Sequence, residues 1–325
     1  MADYDDGRIF YANMGDPNHS YLLYTAFSPR YMEYWFWKAR GLDRSAIIDK
    51  RKQALALFER ELSKEERDCV IFSGEDISLI EEEGLKALIE MINAYCEQKT
   101  VIAYVRDPLE FAASNFQQQV LGGLANSSPS ITPSFRFRFE RLSNIVNKQN
   151  IILRDFSREG LKDGDVVYDF AELAGLDRTR FKPLVVGESM SSDALKWIFL
   201  FNNTCPVHSG DDFLFKARNR FNRAVVALYQ DSERIPKEVF LNCADYSEVD
   251  WLAENFGIQY KRPNRSQADY DLPSWLNHFT EDSIDKMVRM LADRNVSSDF
   301  GRIPTKLINR FFYLFLRDQA DGGGT

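Results

Sequence analysis

The feature that most constrains this chain is the order in which two hydrophobic patterns alternate along its first 190 residues. Residues 45–63 carry Ile47, Ile48, Leu55, Leu57, Phe58 and Leu62 at helical spacing, whereas 67–72 (RDCVIF) is the short apolar run of a buried strand. The alternation continues with a helix over 77–96, charged at 81–83, and a strand at 100–105 (TVIAYV). Pro108 suits a first helical position and opens a helix to 120, which Gly122 and Gly123 stop. After a Ser- and Pro-rich loop at 125–133 come a basic, aromatic helix over 135–147 and a strand at 150–156 (NIILRDF). A helix over 166–174, closed by Gly175, leads to an extended stretch at 183–186. Strands and helices in this order predict an α/β fold with a mainly parallel central sheet and flanking helices. From about residue 191 strand patterns fade. The expected organisation is therefore an α/β core over 1–190 and a helical C-terminal cap over 191–325 packed on it, with a disordered tail at 321–325 (DGGGT).

Charge and composition limit the partners. A formal net charge of −8 argues against nucleic acid, whose phosphates demand a basic footprint, so an anionic ligand has to be caught by a local site. The opening MADYDDGRIF has no apolar leader and no apolar run reaches membrane-spanning length, which gives the expectation of a cytoplasmic protein without a membrane span. Cys69, Cys96, Cys205 and Cys243 lie far apart without a C-x-x-C pair, and the three His are scattered, so no metal site is expected.

The segment richest in chemistry is 104–114 (YVRDPLEFAAS). With Val105 ending a strand and Pro108 starting a helix, Arg106 falls at the carboxyl edge of the sheet, where α/β proteins hold ligands. Ser114, seven residues beyond Asp107 as cap, returns to nearly the face of the helix start, so guanidinium and hydroxyl are candidates to grip one anion together. The plain alternative is an Arg pairing with a neighbouring helix and a Ser on a helix surface.

An Arg-x-Pro strand end with Ser eight residues after the Arg resembles the 3′-phosphate motif of sulfotransferases, which use 3′-phosphoadenosine 5′-phosphosulfate. Gly15-Asp-Pro-Asn-His-Ser20, Ile71-Phe-Ser-Gly-Glu75, and Ile151-Ile-Leu-Arg-Asp-Phe156 leading to Asp169-Phe-Ala-Glu-Leu-Ala-Gly175 are similar, as an ordered set, to the bacterial carbohydrate-type branch of that family. A weaker echo is Glu188-Ser-Met-Ser191, with Gly187 where the family often has Asn. The resemblance covers about residues 8–205 and implies the P-loop NTPase-like sulfotransferase fold. It also implies Arg106 and Ser114 as co-substrate-binding residues, and transfer of a sulfuryl group to a hydroxyl of a carbohydrate or glycolipid without a metal.

One departure cuts against it. The family opens with a strand, a Gly-rich loop containing Lys and Gly-Thr-Thr/Ser, and a helix that cradle the 5′-phosphosulfate. Residues 1–20 hold only Gly7 and Gly15 and no Lys, so that N-terminal strand-loop-helix is expected to be missing, either because the true start lies upstream or because the chain is a degenerate member. The alternative function is then a catalytically inactive sulfotransferase-like binding or accessory protein. A nucleotide-phosphate kinase relative is a third reading, weakened by the lack of a Walker loop.

Sulfuryl transfer needs a base for the acceptor hydroxyl. Glu75, just after the RDCVIF strand, and His19, in a loop after Tyr11, are the candidates. Their plain alternatives are an acidic residue favoured by a helix N-terminus and a capping or surface His. The aromatic run 31–37 (YMEYWFW) reads mainly as a helix face buried in the core, and otherwise as the lining of a sugar-binding or lipid-facing groove.

Overall fold

The computed structural model describes residues 3–64, 67–182, 190–205, 211–264, 271–294, 296 and 301–320. In chain order its elements are β1 (Ile9–Tyr11), α1 (Ser20–Phe27), α2 (Trp35–Ala39), α3 (Arg44–Leu62), β2 (Cys69–Ile71), α4 (Glu82–Tyr95), β3 (Val101–Val105), α5 (Pro108–Leu121), α6 (Phe135–Ile145) and β4 (Ile151–Asp155). There follow α7 (Val166–Leu173), α8 (Ser192–Thr204), α9 (Asp212–Leu228), α10 (Val249–Phe256), α11 (Leu272–Asn277), α12 (Glu281–Asp293) and α13 (Pro304–Ala320). The expected stretch at 183–186, the Gly187 to Ser189 part of the weaker echo, His208 and the tail at 321–325 lie outside the described residues.

The chain divides into two compact units, and not by one cut after residue 190. Unit 1 comprises Met1–Asp107, Ser134–Val186 and Ser247–Tyr260; unit 2 comprises Pro108–Pro133, Gly187–Tyr246 and Lys261–Thr325. Helix α5, expected in the α/β core, belongs to unit 2 because of what its apolar face meets. Ala112, Phe116 and Val120 are buried there, with the Phe116 ring 5.4 Å from Phe240 and 6.3 Å from Phe199. Helical periodicity identifies a face to be buried but not the partner that buries it.

The protein is α/β and mostly helical. In unit 1, β1 lies parallel to β2 with Ile9 opposite Cys69 and Tyr11 opposite Ile71, and β3 lies parallel to β4 with Val101 opposite Ile151 and Val105 opposite Asp155. The expected strands at 67–72, 100–105 and 150–156 are thus present, but among the described residues they form two separate two-stranded sheets instead of one central sheet. A run of β-type residues announces a strand and carries no record of which strand it pairs with. The helix expected over 77–96 begins later: Glu75–Leu79 is a 3-10 turn, Ile80 is extended and fully buried, and α4 starts at Glu82 with Glu82 and Glu83 at the favourable end of its dipole.

The unit 1 core gathers Leu23, Ala54, Phe58, Ile80 and Leu85 from α1, α3, α4 and the turn between them, all of them fully enclosed. Caps fix the helix ends: Asp43 accepts the Ala46 N–H at 2.8 Å at the start of α3, and Asp165 accepts the Val167 N–H at 2.7 Å before α7. Among the described residues the named elements of unit 2 are helices, packed around Trp197, Phe201, Phe221, Phe240 and Phe311. One of its buried cations, Arg218, donates to the Cys205 carbonyl at 3.1 Å and to Asn202 Oδ1. Asn202 Nδ2 in turn donates to the carbonyls of Val120 (2.7 Å) and Leu124 (2.8 Å), and Asn222 Nδ2 to that of Leu121 at 3.1 Å. Arg218 therefore sits at the carbonyl end of α8 and is linked through Asn202 to that of α5, where helix dipoles favour positive charge. Burial nonetheless lowers its pKa.

Candidate functional site

The first corner is built by the segments that follow β1 and β2. The sequence suggests no opening strand-loop-helix, yet β1, residues 12–19 and α1 form one. The strand is too short to show a period, and it starts where the Asp6 carboxylate accepts the N–H groups of Arg8 (2.8 Å) and Ile9 (2.7 Å). Its loop has neither the Lys nor the Gly-Thr-Thr/Ser of a phosphate cradle. Most of its backbone N–H groups are already used: Ala12 donates to Ile71 O at 3.0 Å, Asn13 to the Glu61 carboxylate at 3.0 Å and Gly15 to Asn13 Oδ1 at 3.1 Å. Asn18 donates to the Asp16 carboxylate at 2.8 Å, His19 to Ser73 O at 2.9 Å and Ser20 to Asn18 Oδ1 at 3.0 Å. A phosphate here would have to displace these bonds and approach the charges of Asp16 and Glu61.

His19 is fully enclosed, with its ring against Tyr11 (4.8 Å between centroids) and Phe72 (5.9 Å). Its Nδ1 accepts the Ser73 N–H at 3.2 Å while its own N–H donates to Ser73 O, so the side chain pins the loop to the end of β2. With Nδ1 an acceptor, the neutral ring carries its proton on Nε2, which is buried and makes no hydrogen bond of normal geometry. Burial lowers the His19 pKa below 6.5, opposed by the Ala12 carbonyl and the carboxylates of Asp16 and Glu61. An enclosed imidazole in this setting is a pin and does not meet an acceptor hydroxyl.

Glu75, two residues past Ser73, begins the 3-10 turn and is exposed. The position before it has to be Gly: a Cβ on Gly74 would come within 2.6 Å of the Ser20 backbone nitrogen. The next carboxylate, Asp76, is engaged, accepting a short hydrogen bond from the Tyr34 hydroxyl while its N–H donates to Ser20 Oγ at 3.2 Å. Burial and then the charges of Asp76 and Glu75 raise the Tyr34 pKa far above that of a free phenol. On the other side, Arg138 donates to the Ser78 hydroxyl and Arg141 to the Ser78 carbonyl at 3.1 Å. Burial lowers the pKa of Arg138, opposed by Glu75 and Asp76. The corner thus has one exposed carboxylate, one held carboxylate and a half-buried guanidinium. Tyr34, Asp76 and Arg138 come from three distant segments; the aromatic run and the basic face of α6 hinted at Tyr34 and Arg138, and nothing at Asp76.

The second corner lies at the ends of β3 and β4. Arg106 follows β3, half-buried, with its guanidinium over the Phe156 ring at 4.0 Å from the centroid. The Val105 carbonyl accepts the Phe156 N–H at 2.7 Å and lies 3.2 Å from the Tyr260 hydroxyl, which donates to Asp155 Oδ1 at 2.7 Å. Burial, followed by the Asp155 carboxylate, raises the Tyr260 pKa. Arg106 and Glu75 both follow parallel strands, and those strands belong to different two-stranded sheets. Ser114 is half-buried on α5, in unit 2.

Comparison with known proteins brings no neighbour: no family model, no curated protein and no solved structure matches the chain. Among the described residues no helix is long and apolar enough to cross a membrane, and no group of three or more His, Cys, Asp or Glu is placed to hold a metal.

Proposed function

We propose that this chain is a sulfotransferase-like protein that takes 3′-phosphoadenosine 5′-phosphosulfate and moves its sulfuryl group to a hydroxyl of a carbohydrate or glycolipid. The observation that carries the reading is Arg106 at the carboxyl end of a parallel strand, followed directly by a helix that begins at Pro108. It supports a role for the guanidinium on the 3′-phosphate, with Ser114 as the hydroxyl that the resemblance assigns to the same group. Of the two candidate bases, exposure favours Glu75 over the enclosed His19 as the group that takes the acceptor's proton. A P-loop NTPase-like fold for unit 1 is part of the same proposal.

A second reading has its own observation. The N–H groups of Ala12, Asn13, Gly15, Asn18 and His19 are filled and the opening loop has no Lys, which favours an inactive binding or accessory member of the same kind. Transfer of labelled sulfate from the phosphosulfate donor to a mixed glycan pool separates the two. Turnover that Arg106→Ala and Glu75→Gln each lower at least about tenfold supports the enzyme, since a charge-assisted contact contributes about 1.5–3 kcal/mol. Nucleotide binding without turnover supports the silent member. If Arg106→Ala leaves both binding and turnover unchanged, Arg106 is structural and the reading falls.

A further inference from the structure

The aromatic run 31–37 does not fold as one buried helix face. Tyr31–Glu33 is a 3-10 turn and α2 is short, so the run presents no single continuous helical face. Tyr34 and Trp37 are buried, whereas Trp35 is 63% exposed, the most exposed of the large apolar side chains among the described residues. Its position is fixed from beneath. The Trp35 ring meets Tyr34 and Phe36 edge-on at 5.9 and 5.8 Å, Tyr34 stacks on Tyr24 at 4.3 Å, and Phe36 stacks on Tyr21 at 4.5 Å. Arg40 covers Phe36, its guanidinium 3.4 Å from the ring centroid, and donates to the Phe36 carbonyl at 3.1 Å. A large ring held this way loses little conformational freedom when something settles on it.

The same stack leads to the acidic corner. Tyr34, next to Trp35, donates its hydroxyl to Asp76, and the neighbour of Asp76 is the exposed carboxylate of Glu75, whose charge Tyr34 also feels. An exposed indole linked through Tyr34 and Asp76 to an open carboxylate suits a ligand with an apolar face and a rim of hydroxyl donors. Sugar rings have that form: their C–H groups pack on an aromatic face while their hydroxyls donate to carboxylate oxygens. We propose that Trp35 is the stacking platform of a sugar-binding subsite and that Glu75 accepts hydrogen bonds from hydroxyls of the seated ring. This deepens the reading of a carbohydrate acceptor by stating where the acceptor sits, and rests on that reading only for the ligand's role as acceptor.

The test uses the full chain with cellohexaose and chitohexaose, followed by tryptophan fluorescence and calorimetry without nucleotide. At least one of the two is expected to bind saturably. Trp35→Ala should weaken that binding at least about tenfold, Glu75→Gln by less, and Trp35→Phe should retain most of it. Binding of adenosine 3′,5′-bisphosphate should be the same in Trp35→Ala as in the parent chain. Sugar binding lost in Trp35→Ala, in a chain that never binds the bisphosphate, would uphold the platform and sink the nucleotide reading. No saturable binding of either sugar, or binding that Trp35→Ala leaves unchanged, would overturn the platform, as would binding of tetramethylammonium at Trp35 without sugar.

Discussion

Two loops leave the carboxyl ends of parallel strands in unit 1, after β1 and after β3, and they differ in how they treat charge. The first closes on itself: most of its N–H groups go to Asn13, Asp16, Asn18, Glu61 and neighbouring carbonyls, and it carries no cation. The second carries Arg106, laid on Phe156 beside a Tyr260 hydroxyl held by Asp155. The difference shows that a strand-loop-helix outline is not in itself an anion site.

The comparison can be strained first at its tightest point. Gly74→Ala forces a Cβ against the Ser20 backbone and should lower stability by about 2–3 kcal/mol, as overpacking typically does. Denaturant unfolding reads this directly, and an unchanged midpoint would mean that the loop is free to move away from β2. Such freedom would undo the contrast between the two loops.

A smaller effect concerns charge. Glu61, 1% exposed, is pushed up by burial but more than offset by hydrogen bonds from Lys64, the Asn13 N–H and Arg60, so its pKa lies below the ordinary 4.5. A carboxylate held low in the folded state adds stability that is complete above 4.5 and lost as pH falls through the lowered value. Glu61→Gln should therefore cost about 1.5 kcal/mol at neutral pH and flatten the acid limb of a stability-against-pH curve below 4.5. If the limb keeps its full steepness, Glu61 does not anchor the loop.

Part of this arrangement was legible in the chain. Strands at 67–72, 100–105 and 150–156 and helices at 45–63, 135–147 and 166–174 follow from apolar spacing and from punctuation by Pro108 and Gly175, and the structure has them within a few residues. Strand pairing was not legible, because Cys69–Ile71 offers three residues and no mark of its partner. The place of α5 was hidden for a similar reason, since Phe116 meets Phe199 and Phe240, residues more than eighty positions away. At the site, Glu75 and Arg106 stood out through their positions after strands. Nothing local tied Tyr34 to Asp76 or marked His19 as enclosed, because those properties arise only when distant segments meet.

On the proposed function, an anionic nucleotide meets the protein after β3 and not after β1. Backbone hydrogen exchange of the full chain, with and without adenosine 3′,5′-bisphosphate, tests it most directly. Slowed exchange is expected at 104–109 and around Phe156, none at 12–20, with loss of the effect in Arg106→Ala. Protection at 12–20 that persists in Arg106→Ala would contradict it and return the anion site to the opening loop.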